Sequence, residues 1–534
     1  MKNIKRFFIP SLCAVALLSI TGCTKDFVDI NTNPATYGST NFDANYTLSS
    51  AQLNYTGSID FAYDTWRANL IYSSGMIQGM STVVSYWAGD KYMLNEGYTA
   101  AYWGTSAVGA YIEQVRFIVD VIEFTKDKPE ASNLYNVARI WKAVIFSRLS
   151  DIYGDVPYSE AGLGYYKKIY TPKYDKQQDI YNDMLKELDE ASQSFKDGGD
   201  FVKGDIIYGG DLNKWKRFAN SFMLRLAMRL VKVDEAKAKE YAAKAVGKTF
   251  TSNSDNALVK HSRAGARVTQ NRNSQVLLGD GGSEAYYTKW SKTFIDFLKA
   301  HKDPRLGKIT VTNLYLKESD KDEAGQNPNF SMDPAVQKGM PNGKDLGSNP
   351  IFNVKSDPNW TTFSDYSSPH PVMIAREAPT FILTYGATEL LLAEAAVRWG
   401  IGGSAEDHYK NGVKAAITNV GQYSEKIAIS DATADACLAA NPFKPAEALK
   451  QINTQYWGHT VSQLDFIETW SNWKRTGYPE LVMINYPGNA TGGTIPRRFP
   501  YPVSEVSENG VHYKEAAAAV PGGDKLTGRV WWDK

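Results

Sequence analysis

Cysteine is scarce in this sequence of 534 residues, which has three: Cys13, Cys23 and Cys437. Cys13 and Cys23 belong to an N-terminal segment that has the pattern of an export signal, described below. Cys437 is therefore the one thiol left for the folded chain. A single thiol has no internal partner. The sequence therefore excludes a fold held together by disulfide bonds.

Catalytic motifs are also missing. The six histidines include no pair at i and i+4 and no His-Glu-x-x-His motif, and the chain has no Gly-x-Ser-x-Gly motif. Residues 400–405 match the Gly-x-Gly-x-x-Ala form of a dinucleotide-binding loop. They lie between two predicted helices rather than after a strand, so we interpret them as a turn. We expect no catalytic residue, no cofactor and no resident metal.

Two chemical alternatives stay open. Residues 320–331 begin like an EF-hand calcium loop, but Ala324 and Ser331 stand where ligands are needed, which favours a solvated loop over a calcium site. Carboxylates are plentiful, so a pair that hydrolyses glycosidic bonds also stays open, although no spacing in the chain points to one.

Charge of one sign is not in excess, because 59 Lys and Arg residues face 58 acidic residues. This balance gives no reason to expect a nucleic acid or another polyanion as a partner. Long apolar runs are absent after the N-terminus, since no later stretch approaches 18 apolar residues. The sequence therefore excludes a later transmembrane helix.

The N-terminal segment has the pattern of an export signal. Residues 1–6 carry three positive charges, and an apolar stretch that is too short to span a bilayer follows at residues 7–20. Small residues then precede Cys23, as in a bacterial lipobox, in which the thiol is acylated and becomes the new N-terminus. We predict a signal peptide at residues 1–22, a lipid on Cys23 and a polar tether at residues 23–45. An ordinary signal peptide with an incidental cysteine is the alternative.

Helical periodicity recurs along the chain. Several segments place apolar residues on one face, with predicted starts at Ser132, Asp211 and Ser404 and a predicted end at Gly400, all residue types that cap helices. Helix, short turn, helix is the repeating unit of an α-solenoid such as a tetratricopeptide array. Residues 248–378 differ, because they are rich in Gly, Asn, Asp, Ser and Pro, and their aromatic residues favour ordered, functional loops.

Five stretches resemble a known family. Residues 151–161 (DIYGDVPYSEA) closely resemble a signature of the SusD/RagB family of nutrient-binding outer-membrane lipoproteins. The similarity is greatest to the SusD-like branch that opens with the DINTNP element. The other stretches follow in the expected order: residues 27–34 (FVDINTNP), residues 215–227, residues 303–305 (DPR), and residues 473–479 followed by residues 495–502.

The resemblance implies a mostly α-helical fold, in which a tetratricopeptide-like superhelical scaffold supports a loop-rich ligand-binding lobe within residues 46–534. It also implies a SusC-like TonB-dependent outer-membrane β-barrel as partner, and an outer-membrane location, lipid-anchored and facing the cell exterior. We therefore expect a surface lipoprotein that captures oligosaccharides. Capture of oligopeptides by the same architecture is the first alternative, and a surface glycoside hydrolase is the second.

Aromatic residues are abundant, with 32 Tyr, 22 Phe and 13 Trp. Sugar rings stack on such side chains while their hydroxyls bind polar groups, and the resemblance implies an aromatic arc built from loops. Trp87 is the favoured platform because the turn after it indicates an exposed setting; for each other aromatic residue, core packing is the alternative. The first predicted arm holds Trp87, Tyr86, Asp90, Tyr92, Asn95 and Tyr98, and the second holds Tyr287, Trp360, Tyr366, Arg267 and Asn271.

Overall fold

α-Helices form most of the described part of the chain, which confirms the predicted mostly α-helical fold class. Within it, residues 45–534 form one compact unit. The predicted signal peptide, Cys23 and nearly all of the predicted tether lie outside the described residues. The computed structural model describes residues 42–58, 63–104, 108–265, 267–279, 282–320 and 322–534.

Thirteen α-helices of nine or more residues lie in the described residues, and we number them in chain order. None of the described helices is long and apolar enough to cross a bilayer. They are α1 (Ala44–Asn54), α2 (Arg116–Thr125), α3 (Ser132–Tyr153), α4 (Gln177–Gln193), α5 (Leu212–Arg229), α6 (Glu235–Ala245), α7 (Lys292–Ala300), α8 (Tyr385–Trp399), α9 (Ala405–Thr418), α10 (Asp431–Ala440), α11 (Ala448–Ser462), α12 (Phe466–Thr476) and α13 (Gly510–Ala519). The described residues also form π-helices at Trp66–Ser74 and Tyr111–Val115, several 3₁₀ turns, and short α-helices at Tyr63–Thr65, Glu96–Thr99, Gly164–Lys167, Arg272–Leu277, Glu284–Tyr287 and Glu505–Glu508.

Helices that are neighbours in the sequence pack on each other in space. α2 packs on α3, α3 on α4, α4 on α5 and α5 on α6, and later α8 packs on α9 and α11 on α12. The apolar face predicted on α3 is buried, since Val137, Trp141 and Leu149 have no exposed surface. Trp141 meets Trp215 of α5 edge to face, with ring centroids 6.4 Å apart. This stacking of consecutive helices is the expected tetratricopeptide-like scaffold.

Three of the four predicted helix boundaries are confirmed. Asp211 caps α5 by accepting hydrogen bonds from two backbone amides, and Ser404 caps α9 by accepting from the amide of Asp407. Gly400 ends α8 in the left-handed conformation, at φ 66°. Each boundary satisfies backbone groups that a helix end leaves unpaired.

The predicted cap at Ser132 is wrong. A 3₁₀ turn at Pro129–Ala131 leads directly into α3, so Ser132 is already its first residue, and its Oγ has no hydrogen-bond partner among the described residues. Asp200 instead accepts hydrogen bonds from the amides of Asn133 and Leu134, at 2.7 and 2.9 Å. A carboxylate distant in the sequence therefore caps this helix.

Short antiparallel ladders connect the loop-rich stretch to the helices. Three of the four ladders in the described residues use residues 248–378, and α7 lies there too, so short regular elements interrupt this loop-rich stretch. The pairs are β1 (Met80–Thr82) with β5 (Thr288–Trp290), β2 (Val156–Pro157) with β3 (Tyr174–Asp175), β4 (Ala257–Val259) with β8 (Thr380–Leu383), and β6 (Thr310–Val311) with β7 (Ser368–Pro369).

Candidate functional site

The β1–β5 ladder brings the two predicted arms together. Thr82 at the end of β1 pairs with Thr288 at the start of β5. Because the strands are antiparallel, the chain that leaves β1 and the chain that enters β5 lie at the same end of the ladder. There the hydroxyl of Tyr86 donates a hydrogen bond to Glu284, which is 198 residues away in the sequence.

The aromatic side chains of the second arm form one cluster. Tyr287 and Trp360 each contact Phe363 edge to face, with ring centroids 4.8 Å apart in both cases. Tyr366 lies 6.0 Å from Trp360. Tyr287 and Trp360 are half-buried, whereas Tyr366 is 1% exposed. The three predicted aromatic residues do come together, but only the first two retain appreciable exposed ring surface.

Three residues of the first arm also reach the surface. Tyr86 is half-buried and meets Trp66 edge to face at 6.1 Å between ring centroids. The guanidinium group of Arg67 lies over the half-buried ring of Tyr98, 4.9 Å from its centroid. Asn95 is exposed, and its side chain caps the short helix that follows by accepting from the amide of Tyr98 at 3.1 Å.

We call the half-buried rings of Trp66, Tyr86, Tyr98, Tyr287 and Trp360 the aromatic arc. Each ring has an apolar face and a polar group at its edge, the combination that suits stacking on a saccharide ring. A cleft of about 520 Å³ adjoins Trp360, and the other four rings of the arc are not part of its lining. That volume lies in the range of small-ligand sites.

Two carboxylates accept hydrogen bonds from tyrosines of the arc. Glu284 is fully buried and accepts from Tyr86 through Oε1, while its Oε2 has no hydrogen-bond partner among the described residues. Glu318 accepts from the hydroxyl of Tyr287 at 2.9 Å. Burial together with Glu318 raises the pKa of Tyr287 to about 12, and burial together with Glu284 raises the pKa of Tyr86 higher still. Both phenols therefore stay protonated at neutral pH and keep donating to their carboxylates.

Trp87, Asp90 and Tyr92 lie in the interior instead of on the surface. Their exposed fractions are 2%, 3% and 0%. Gly89 explains the burial, because a Cβ atom there would lie 2.3 Å from the carbonyl oxygen of Tyr72, so the turn packs directly against the π-helix. The exposed setting predicted for Trp87 is wrong. Ligand contact by these three residues stays a prediction, which their burial disfavours.

The polar residues of the second arm differ in exposure. Asn271 is 3% exposed, caps the short helix Arg272–Leu277 and donates to the backbone oxygen of Ala378 at 2.8 Å. Arg267 is exposed, and its backbone oxygen accepts from the side chain of Arg272 at 2.6 Å. Asn271 therefore orders the loop, and ligand contact by Asn271 or Arg267 stays a prediction.

The sequence did not single out Trp66, Arg67, Glu284 and Glu318. Trp66 and Arg67 open the π-helix Trp66–Ser74, a type of helix that is frequent at functional sites but has no distinctive local sequence. Glu284 and Glu318 belong to the site through their hydrogen bonds to tyrosines, and nothing in the local sequence links them to those tyrosines. Among the described residues, no group of three or more His, Cys, Asp or Glu side chains is arranged to hold a metal ion.

Nearly the whole described chain is similar to known proteins. The SusD-like family model described as "Starch-binding associating with outer membrane" matches residues 43–502. This chain belongs to the SusD-like family. The resemblance of its motifs to that family is thereby confirmed.

Solved structures share the SusD-like fold. A chitin-binding protein is 35% identical, with a TM-score of 0.78, over 92% of this chain and 100% of that one. A SusD-like protein of Bacteroidetes is 25% identical, with a TM-score of 0.78 and the same coverage. A chitin-binding SusD homolog from Flavobacterium johnsoniae is 22% identical, with a TM-score of 0.70 over 92% of this chain and 98% of that one. Among curated proteins, none matches this chain.

Proposed function

We propose that this SusD-like protein is a cell-surface lipoprotein that captures oligosaccharides on the aromatic arc and passes them to a SusC-like TonB-dependent barrel. The observation that carries the proposal is the meeting of both arms at one end of the β1–β5 ladder. Rings from four separate segments keep exposed surface there, beside the exposed acceptor Glu318, while the buried Glu284 orients the hydroxyl of Tyr86. Stacking faces next to hydrogen-bond acceptors fit the two surfaces of a sugar ring.

The arc favours a glycan over a peptide. An extended peptide is typically recognised by backbone hydrogen bonds along the edge of a sheet. The arc offers side-chain rings and carboxylates instead. The relative that is 35% identical is named as a chitin-binding protein, so oligomers of N-acetylglucosamine are the first ligands to test.

We further propose binding without turnover. Among the carboxylates near the rings, Glu284 and Glu318 each already accept a hydrogen bond from a tyrosine. A glycosidase requires two carboxyl groups that face one glycosidic bond from opposite sides, one of them as a proton donor. Here both carboxylates orient the phenols of the arc.

Trp360→Ala tests the proposal. The mature protein is titrated calorimetrically with hexamers of N-acetylglucosamine and of glucose, and with a hexapeptide. The expected result is an affinity for a glycan hexamer that falls about tenfold in the variant, because one lost stacking contact amounts to about 1.4 kcal/mol. Tyr165→Ala is the matched control, since Tyr165 is 89% exposed and belongs to a different segment.

Either of two outcomes contradicts glycan capture by the arc. One is an unchanged glycan affinity in Trp360→Ala with the same thermal unfolding curve as the unaltered protein. The other is binding of the hexapeptide alone, which would assign the site to peptides. Release of shorter sugars from a bound hexamer, measured by chromatography, would contradict binding without turnover.

A further inference from the structure

A second groove, of about 340 Å³, is lined by none of the rings of the aromatic arc. Trp103 and Tyr111 line it with ring centroids 4.8 Å apart, and Tyr174 stacks on Trp103 at 5.8 Å. The hydroxyl of Tyr111 donates to the backbone oxygen of Pro157 at 2.7 Å. These contacts make one side of the groove a fixed aromatic surface.

Tyr170 adds an exposed ring to the groove. It is 76% exposed and lines the groove next to Pro172. A tyrosine ring left in water has a face available for stacking, and burying it on a ligand is favourable. Nearby Tyr165 is more exposed still, at 89%, but does not line the groove.

Acidic residues also line the groove, beside its aromatic surface. Glu505 and Glu508 line it, whereas no Lys or Arg is among the described residues that do so. Glu505 is 8% exposed and accepts from the hydroxyl of Tyr174 at 2.6 Å. Glu508 is exposed and has no ion pair or side-chain hydrogen bond among the described residues. Burial raises the pKa of Glu505, and the charge of Glu508 raises it further. The lining of the groove is therefore acidic, with no cationic side chain among the described residues that form it.

Asn509 supplies a further acceptor. It is 7% exposed and lines the groove, and its side-chain amide donates to the backbone oxygen of Pro172 at 2.7 Å. This bond fixes the orientation of the amide, and its Oδ1 has no hydrogen-bond partner among the described residues. A buried carbonyl oxygen without a partner is costly unless a ligand or water donates to it.

We propose that this groove is a second saccharide site, specific for an amino sugar with a free ammonium group, such as a glucosamine unit of partly deacetylated chitin. The ring face of the sugar stacks on Tyr170. Its ammonium group donates charge-assisted hydrogen bonds to Glu508 and Glu505, and a hydroxyl donates to Asn509. The choice of a glycan as ligand rests on the proposed function, while the location and charge of the groove do not.

One ring of the arc is close in the sequence to one ring of the groove. Tyr98 of the arc and Trp103 of the groove are five residues apart in the sequence. Their Cα atoms therefore lie at most about 18 Å apart, a distance that a short oligosaccharide spans.

The test compares a glucosamine hexamer with an N-acetylglucosamine hexamer on the mature protein by calorimetric titration. We expect Tyr170→Ala to weaken glucosamine binding about fivefold, because a stacking face is lost. Glu508→Gln is expected to weaken it about threefold, because an exposed ion pair contributes modestly, and this loss shrinks in high salt. Binding of the acetylated hexamer changes little in either variant.

Matched controls are Tyr165→Ala and Glu515→Gln, an exposed tyrosine and an exposed glutamate outside the groove. All four positions are exposed, and equal thermal unfolding curves show that each variant is folded. Unchanged affinity for the glucosamine hexamer in both groove variants overturns the proposal. The same variants are also titrated with tetralysine. If the groove variants weaken the binding of tetralysine but not of the glucosamine hexamer, the groove is a peptide site and the proposal is overturned.

The same titrations separate this proposal from the function of the arc. If Trp360→Ala leaves the affinity for both hexamers unchanged while the groove variants weaken binding of the glucosamine hexamer, the arc proposal fails and the groove proposal stands. If Trp360→Ala weakens binding of both hexamers and the groove variants weaken binding of neither, the arc proposal stands and the groove proposal fails.

Discussion

Glu394 of α8 is fully buried and carries its charge beside two arginines. Arg475 of α12 donates to both of its oxygens, at 2.6 and 2.7 Å, and Arg398 donates to one of them at 2.7 Å. Burial by itself raises the pKa of a carboxyl group, but the two guanidinium groups outweigh it and lower the pKa of Glu394 from 4.5 to about 2. This ion pair ties α8 to α12 while the carboxyl group is ionised.

Glu394→Gln should therefore lower the free energy of unfolding at neutral pH. A folded-state pKa below the unfolded value contributes stability that is complete above pH 4.5 and is lost as the pH falls through about 2. The shift corresponds to about 3 kcal/mol, and breaking a buried pair costs a similar amount. Urea unfolding measured over a series of pH values should show the difference between the two proteins shrinking as the pH falls below 4.5.

The control for this prediction is Glu406→Gln. Glu406 pairs with Lys410 on the surface of α9, and both side chains are about half exposed, at 51% and 50%. Such pairs contribute less than about 1 kcal/mol. A loss of stability in Glu394→Gln that is the same at pH 6 and at pH 3 would contradict the linkage.

Burial at single positions also decided which predicted residues belong to the arc. Tyr86, Tyr98, Tyr287 and Trp360 are half-buried, while Trp87 has almost no exposed surface. All five are aromatic residues in loop-like sequence, so composition alone ranks them equally. The difference comes from what packs against each ring, and that is supplied by segments far away in the chain.

At the element scale, helices in this protein are capped at their N-termini in two different ways. α5 is capped by its own Asp211, which immediately precedes it. α3 is capped by Asp200, although Ser132 stands near its start. The first arrangement is visible in local sequence, and the second exists only once the loop with Asp200 has folded back onto α3.

A set of alanine substitutions distinguishes these two rules. Asp211→Ala is expected to lower the free energy of unfolding by about 1 kcal/mol, because two amides at the start of α5 lose their acceptor. Asp200→Ala is expected to cost at least as much, while Ser132→Ala should change stability by less than about 0.5 kcal/mol. Urea unfolding followed by circular dichroism measures all three. A larger loss in Ser132→Ala than in Asp200→Ala would mean that Ser132 caps α3 after all.

Across the whole molecule, the motif at residues 151–161 belongs to a buried polar network that joins distant segments. Asp151 accepts hydrogen bonds from Trp532 at 3.0 Å and from Arg229 at 3.3 Å. Its backbone oxygen accepts from Lys474 at 2.5 Å. The network links α3, α5, α12 and the segment after α13. The family motif therefore stabilises the scaffold and does not line the arc, so it identified the family without locating the site.

The lipid anchor is a prediction about the whole molecule. Cys23→Ser is expected to abolish incorporation of labelled palmitate and to release the protein from the membrane fraction of a bacterial host that processes lipoproteins, because the acylated thiol is lost. Cys13→Ser and Cys437→Ser are matched controls that should keep both the palmitate label and the association with the membrane. Labelling that persists in Cys23→Ser, or that is lost only in Cys437→Ser, would contradict the anchor.

The sequence by itself determined the mostly α-helical class, the capped boundaries at Asp211, Gly400 and Ser404, and the family. These features are short-range, because a helix face repeats within a few residues and a cap acts within its first or last turn. Only the tertiary structure decided that the turn at Gly89 takes Trp87 into the interior and that β1 and β5 join the two arms. Which side chains stay exposed depends on contacts between residues as far apart as 198 positions, and no local pattern in the chain encodes them.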